Sequence, residues 1–188
     1  MAEAPPARWR LFVGAPVPLG VADELWRRLA PLREQHPAAR WSPASKLHLT
    51  LVFLGPTDPA DIPRIDATVA RVTASWPPFV VETGEGGGFM GEGGGVAWLQ
   101  LARGREDAAQ LALSLDDALG ARSYERRPPR PHLTLARRVT RPLLEEVHRV
   151  DTALRTAFEL DRAVLFRSHS GPGSAEYEEL SSFPLRES

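Results

Sequence analysis

The chain has 188 residues, 43% of them hydrophobic and 25% charged, which is enough for a sizeable core and too apolar for a disordered state. A net charge of −1 argues against broad electrostatic binding of duplex nucleic acid, and the absence of cysteine excludes disulfides, thiolate catalysis and thiolate zinc sites. No run approaches the roughly 18 apolar residues of a membrane helix, so no membrane association is expected and the cytoplasm is the expected location.

In chain order, residues 9–15 read as a strand, followed by a helix over 21–33 with Leu25, Leu29 and Leu32 at helical spacing and Pro31 kinking its last turn. Arg40-Trp41-Ser42 forms a short extended piece. It leads into a strand over 47–54 that Gly55-Pro56 ends. A helix over 61–76 carries Ile62, Ile65, Val69 and Val72 on one side and stops at Pro77-Pro78. Residues 79–82 and 96–101 alternate as strands, joined by the glycine-rich stretch 84–95. That stretch lacks a Gly-Lys-Ser/Thr ending, carries two glutamates, and is expected to be a flexible hairpin connection rather than a phosphate loop.

A helix over 106–119 ends at Gly120, a strand covers 130–137, and a helix begins near Pro142 and runs over 143–154. Strands over 158–167 and 176–181 pair around Gly171-Pro172-Gly173. Strands with one apolar and one polar face favour an antiparallel α+β fold over a buried parallel sheet.

Within this frame one tetrapeptide occurs twice, as His48-Leu49-Thr50-Leu51 and His132-Leu133-Thr134-Leu135. For average amino-acid usage, the chance that two histidines in such a chain are each followed by Leu-Thr-Leu is below roughly one in ten thousand. Side chains alternate across a strand, so His48 and Thr50 share one face while Leu47, Leu49, Leu51 and Phe53 share the other, and His132 and Thr134 repeat the division. The copies lie 84 residues apart, about half the chain. That spacing suggests two pseudo-symmetric lobes with antiparallel sheets and flanking helices around a central cleft, within one domain spanning 1–188.

Two histidines facing across a cleft can work as acid and base near neutrality, and threonine hydroxyls suit the non-bridging oxygens of a phosphodiester. A metal site is the competing use of the pair. Threonine is a poor zinc partner, however, and neither motif holds a carboxylate at ligand spacing. From 121 to 141 there are seven arginines, Arg122, Arg126, Arg127, Arg130, Arg137, Arg138 and Arg141, against the single acid Glu125. Their position around the second motif points to an anionic ligand. His36, His148 and His169 are expected on the surface.

The two motifs, with Arg10-Leu11-Phe12-Val13, Trp41, Lys46, Val52-Phe53-Leu54-Gly55, Pro131, Ala136-Arg137 and Tyr177-Glu178-Glu179-Leu180 around them, resemble the two-histidine (2H) phosphoesterases. The flanks narrow the resemblance to the bacterial RNA 2′,3′-cyclic phosphodiesterases, also called 2′-5′ RNA ligases, over nearly the whole chain. The resemblance implies a bilobal α+β fold and metal-independent, cofactor-free opening of an RNA-terminal 2′,3′-cyclic phosphate to a 2′-phosphate, with reverse 2′-5′ ligation from the same site. It implies His48 as proton donor, His132 as proton acceptor, Thr50 and Thr134 on the phosphate, and Arg137 as a further phosphate ligand.

Strict alternation puts Arg137 on the Leu133 face and Arg138 on the histidine face, so a bulge or the strand's end must intervene if Arg137 contributes. Phe12 or Trp41 is placed to stack on a base. The expected partners are RNA ends or nucleotide 2′,3′-cyclic phosphates, with a monomer and no obligate protein partner. The alternative reading is a non-catalytic module that holds a nucleotide or RNA end in the same cleft.

Overall fold

Strands that alternate leucine with histidine and threonine must cover one face and leave the other open, and the architecture follows from that division. The computed structural model describes residues 8–123, 128–149, 152–169 and 176–186. In order these form β1 (Trp9–Pro16), α1 (Leu19–Arg28), α2 (Ala30–Gln35), β2 (Arg40–Trp41), β3 (His48–Thr57), α3 (Ile62–Thr73) and β4 (Phe79–Phe89). There follow β5 (Gly95–Arg103), α4 (Arg105–Leu119), β6 (His132–Val139), α5 (Arg141–Arg149), β7 (Ala157–Leu160), β8 (Arg162–His169) and β9 (Glu176–Pro184). Arg126, Arg127, Glu125 and the Gly171-Pro172-Gly173 turn lie outside the described residues.

The strands pair antiparallel in the order β7-β4-β5-β6-β3-β1-β8-β9, with β2 added to β6. The sheet divides at its centre. β3, β1, β8 and β9 make one half and β6, β5, β4 and β7 the other, and the two motif strands meet at a single register pair, Leu49 opposite Leu133. The two expected sheets are therefore one sheet, nearly parted along the seam between the motifs.

Leucines at 49, 51, 133 and 135, all fully buried, join Leu111 and Leu115 of α4, Leu143 and Val147 of α5 and Val69 of α3 in a common core on the helix-covered face. At about 1.5–3 kcal/mol for each large apolar side chain buried, this face supplies most of the cohesion. The opposite face carries the histidines.

Several sequence expectations are corrected. The helix expected over 21–33 is two helices, because Pro31 has no N–H to return to the previous turn and instead occupies the start of α2. The strand expected to end at Gly55-Pro56 runs on to Thr57. Gly55 takes φ +68, beside an irregularity in pairing with β1, and Pro56 is accommodated where β1 is the strand's one partner among the described residues. The strand expected over 158–167 is two strands that part at Asp161, β7 pairing with β4 and β8 with β1, so the chain crosses between halves there. The helix expected over 143–154 is α5 and a separate 3₁₀ turn, Thr152–Leu154.

The largest correction concerns the glycines. They are strand rather than flexible connection, with only the segment between Phe89 and Gly95 turning. A Cβ on Gly86 would strike the Val147 carbonyl, and one on Gly88 would strike Leu144 and the Val96 carbonyl. α5 therefore packs directly on the backbone of β4, an approach that only side-chain-free residues permit.

Candidate active site

Each motif strand carries an extra residue at the same point. Val13 pairs with Val52 and Gly14 with Thr50, which leaves Leu51 as the insertion in β3. Ala97 pairs with Ala136 and Trp98 with Thr134, which leaves Leu135 as the insertion in β6. Both are the last residue of His-Leu-Thr-Leu. A bulge reverses the alternation beyond it. Leu51-Val52 and Leu135-Ala136 are accordingly buried in succession, and Phe53 and Arg137 emerge onto the histidine face. Of the two ways in which Arg137 was expected to reach this face, the strand uses a bulge. Its counterpart turns Phe53 away from the apolar face where alternation had put it, to 59% exposure and 6.3 Å from the Phe12 ring.

The two histidines are held alike. His48 Nδ1 lies 2.8 Å from the Lys46 carbonyl and His132 Nδ1 2.7 Å from the Arg130 carbonyl, in each case the residue two before. A carbonyl only accepts, so Nδ1 carries the proton and Nε2 is left with a lone pair. His48 Nε2 accepts from the Thr50 hydroxyl at 3.1 Å.

Their surroundings differ. The His48 ring is boxed by Phe12 at 5.0 Å, Phe166 at 5.8 Å and, edge-on, Tyr177 at 5.1 Å. The His132 ring has Trp98 at 5.1 Å. Gly87 makes this possible, since a Cβ there would come within 2.6 Å of Trp98 Nε1.

Phe12 does not serve as expected. It is 4% exposed and stacks at 5.0 Å on Phe166, so its faces are taken by protein rings and a base cannot reach them. It supports His48. Trp41 is half-buried and donates from Nε1 to the His36 carbonyl at 3.1 Å.

Burial pushes His48 down to about 4, with the Arg137 guanidinium and the facing His132 adding to the effect and the Lys46 carbonyl opposing it. Burial also lowers His132, with Arg137 again contributing and the Arg130 carbonyl opposing. Arg137 therefore acts on both rings, and the rings act on each other. At neutral pH the site holds two neutral imidazoles, that of His48 with Nε2 on the Thr50 hydroxyl, beside a guanidinium and the Thr134 hydroxyl. That arrangement can accept a proton on one side of a bound anion and return one on the other.

The remaining histidines are elsewhere. His36 is half-buried and bonds Glu146 at 3.2 Å, His148 bonds the Leu144 carbonyl at 2.7 Å, and His169 ends β8 in a 2.8 Å pair with Glu178 rather than standing in a loop. Among the described residues no group of three His, Asp or Glu side chains is placed to hold a metal ion. No described helix is long and apolar enough to cross a membrane.

The chain is similar to known proteins along most of its length. The model of the 2′-5′ RNA ligase superfamily matches residues 21–172. The RNA 2′,3′-cyclic phosphodiesterase of Bacillus subtilis is 28% identical, over 96% of this chain and 99% of its own. Among solved structures, Escherichia coli LigT complexed with NADP+ superposes with a TM-score of 0.73 at 25% identity, over 96% of this chain and 99% of that one. TT0787 of Thermus thermophilus superposes with a TM-score of 0.74 at 24% identity, over 94% and 98%.

Proposed function

This chain belongs to the 2′-5′ RNA ligase superfamily, and from that premise we propose that it hydrolyses the 2′,3′-cyclic phosphate at RNA ends to a 2′-phosphate by acid and base catalysis between His48 and His132. The observation that carries the reading is the matched pair of imidazoles. Each is fixed through Nδ1 to the carbonyl two residues before, on strands that meet at the seam.

In the reaction, His132 Nε2 takes a proton from water as its oxygen attacks phosphorus. The bond from phosphorus to O3′ breaks, and protonated His48 gives its proton to O3′. The products are a 2′-phosphate and a 3′-hydroxyl, with the histidines' proton states exchanged until solvent resets them. Thr50, Thr134 and Arg137 hold the non-bridging oxygens, where charge grows in the transition state.

The arriving phosphodiester brings the negative charge that an imidazolium needs, so substrate binding raises the histidine that takes up the proton. Run backwards with a 5′-hydroxyl in place of water, the same steps make a 2′-5′ linkage. Hydrolysis prevails because water is in vast excess.

Phe53, turned to the histidine face by the bulge at Leu51 as Arg137 is by the bulge at Leu135, offers a ring to the terminal base. We place the enzyme in the cytoplasm as a monomer acting on RNA ends or nucleotide 2′,3′-cyclic phosphates without a protein partner.

The test is incubation in EDTA with an oligoribonucleotide ending in a 2′,3′-cyclic phosphate, with the phosphate position in the product identified. Wild type is expected to give the 2′-phosphate, and His48→Ala and His132→Ala each to lose about 10²–10⁴-fold. Tight binding without turnover, unaffected by either substitution, would establish the binding module instead.

A further inference from the structure

A cavity of about 170 Å³ adjoins the active site and is lined by Arg40, Lys46, Arg137 and Arg138 with Trp41 and Tyr177 as aromatic walls. It is continuous with the catalytic pair through three residues. The Lys46 carbonyl accepts from His48 Nδ1, Tyr177 meets the His48 ring edge-on, and Arg137 acts electrostatically on both histidines.

Neighbouring residues on an extended strand point to opposite faces, so Arg137 and Arg138 should not share a cavity. They do because Arg138 takes φ +54, the left-handed conformation that a side chain other than Gly, Asn or Asp rarely adopts. It is the second inserted residue of β6, since Gly95 pairs with Val139 and Val96 with Arg137. Gly94, at φ +95, makes room for it, because a Cβ there would lie 2.8 Å from Arg138 Cα.

The other half has the same insertion at Leu54, where Leu11 pairs with Gly55 and Phe12 with Phe53, but there the positive φ falls on the following residue, Gly55, and the inserted leucine does not take it. The insertion therefore does not by itself demand the left-handed conformation, which in Arg138 accompanies a side chain that lines the cavity.

The cavity also joins basic to aromatic side chains. Arg40, Lys46 and Arg138 lie beyond the residues assigned to the cyclic phosphate, with Lys46 4.0 Å from the exposed Glu176 at the rim, and basic groups beside aromatic walls suit a phosphate followed by a sugar or base.

We propose that this cavity is a second phosphate subsite, taking the phosphate on O5′ of the terminal nucleotide while Trp41 and Tyr177 flank the sugar or base beyond it. The inference rests on the hydrolytic reading of the site and narrows its substrate to ends that carry a phosphate on both sides of the terminal ribose.

Affinities of adenosine 2′-phosphate and adenosine 2′,5′-bisphosphate, measured by calorimetry, test the subsite without turnover. Cleavage of adenosine 2′,3′-cyclic phosphate, its 5′-phosphorylated form and the dinucleotide ApA 2′,3′-cyclic phosphate tests it in catalysis. Wild type is expected to prefer the O5′-phosphorylated member by about tenfold or more in Kd and in kcat/KM. In Arg138→Asn, which tolerates the left-handed backbone, and in Arg40→Gln, the preference is expected to fall to within about twofold of unity. A gain with the 5′-monophosphate alone, or with the dinucleotide too, tells a terminal from an internucleotide phosphate.

Equal affinities in wild type, or a preference that survives both substitutions, would overturn the subsite. Intact preferential binding with no cleavage of any cyclic substrate would overturn the hydrolytic reading and leave the subsite standing.

Discussion

His48 shows what placement does to a residue whose type alone suggested its chemistry. Its imidazole, near 6.5 in an unfolded chain, is pushed to about 4 by burial, Arg137 and His132. Between those values the unfolded chain binds the extra proton, so the stability tied to neutral His48 is full above about pH 6.5 and lost as pH falls toward 4. Denaturant unfolding at stepped pH is therefore expected to show a shallower acid slope in His48→Asn than in wild type, by about 0.5–1 kcal/mol per pH unit, the full 1.4 being reduced by water at the half-buried ring. An unchanged slope would mean that the ring is not desolvated.

The same shift governs catalysis. The active form has one charged and one neutral histidine, so kcat/KM, which reports the free enzyme, is expected to peak on the acid side of 6.5. kcat reports the complex, where the phosphate favours the imidazolium, and should peak at higher pH. Coincident optima at 7 or above would count against the depressed pair. The acid and base roles separate with a 3′-thio leaving group, which needs no proton. His48→Ala should regain most of its lost rate on that substrate and His132→Ala should not. Phe53→Ala is expected to raise KM by about 5–150-fold with kcat little changed, from loss of a stacking contact worth about 1–3 kcal/mol.

Single backbone insertions decide which side chains of the motif strands emerge on the histidine face. Alternation reads Leu51 and Phe53 as equals and Arg137 as a core-side residue, whereas the bulges at Leu51 and Leu135 separate the first pair and bring Arg137 to the histidines. The β4 glycines make the related point about packing. Composition there reads as a loop, because a missing side chain looks like missing structure. In the fold the missing side chains are the space that α5 and the Trp98 ring occupy.

Gly86→Ala is thus expected to lower stability by about 1–3 kcal/mol or more, seen as a fall in Tm of roughly 3–10 °C, while Gly93→Ala, with no atom within 4 Å of the added methyl, should leave Tm within about 1 °C. A neutral Gly86→Ala would show that α5 does not sit against that strand.

Across the whole molecule, two four-stranded halves joined at Leu49 and Leu133 each contribute one histidine, one threonine and one residue turned in by a bulge. The net charge of −1 hides a local concentration of cations beside the seam. RNA-end affinity is accordingly expected to follow salt with a log–log slope of about −1 to −1.5, set by the cyclic phosphate and the phosphate on O5′ at about 0.7 counterions each, rather than the steeper slope of a basic RNA-binding surface.

The sequence alone determined the duplicated His-x-Thr strands, their leucine-lined backs, the antiparallel α+β class and the resemblance that named the chemistry, because local alternation and residue type are written in the order of the chain. The tertiary structure decided the rest. It set the register that inserts Leu51, Leu135 and Arg138, the approach of α5 to a bare backbone, the burial that leaves Phe12 packed against His48 and Phe53 exposed, and the field of Arg137 on both imidazoles. Each of these depends on a distance between residues far apart in sequence, and no local pattern encodes that distance.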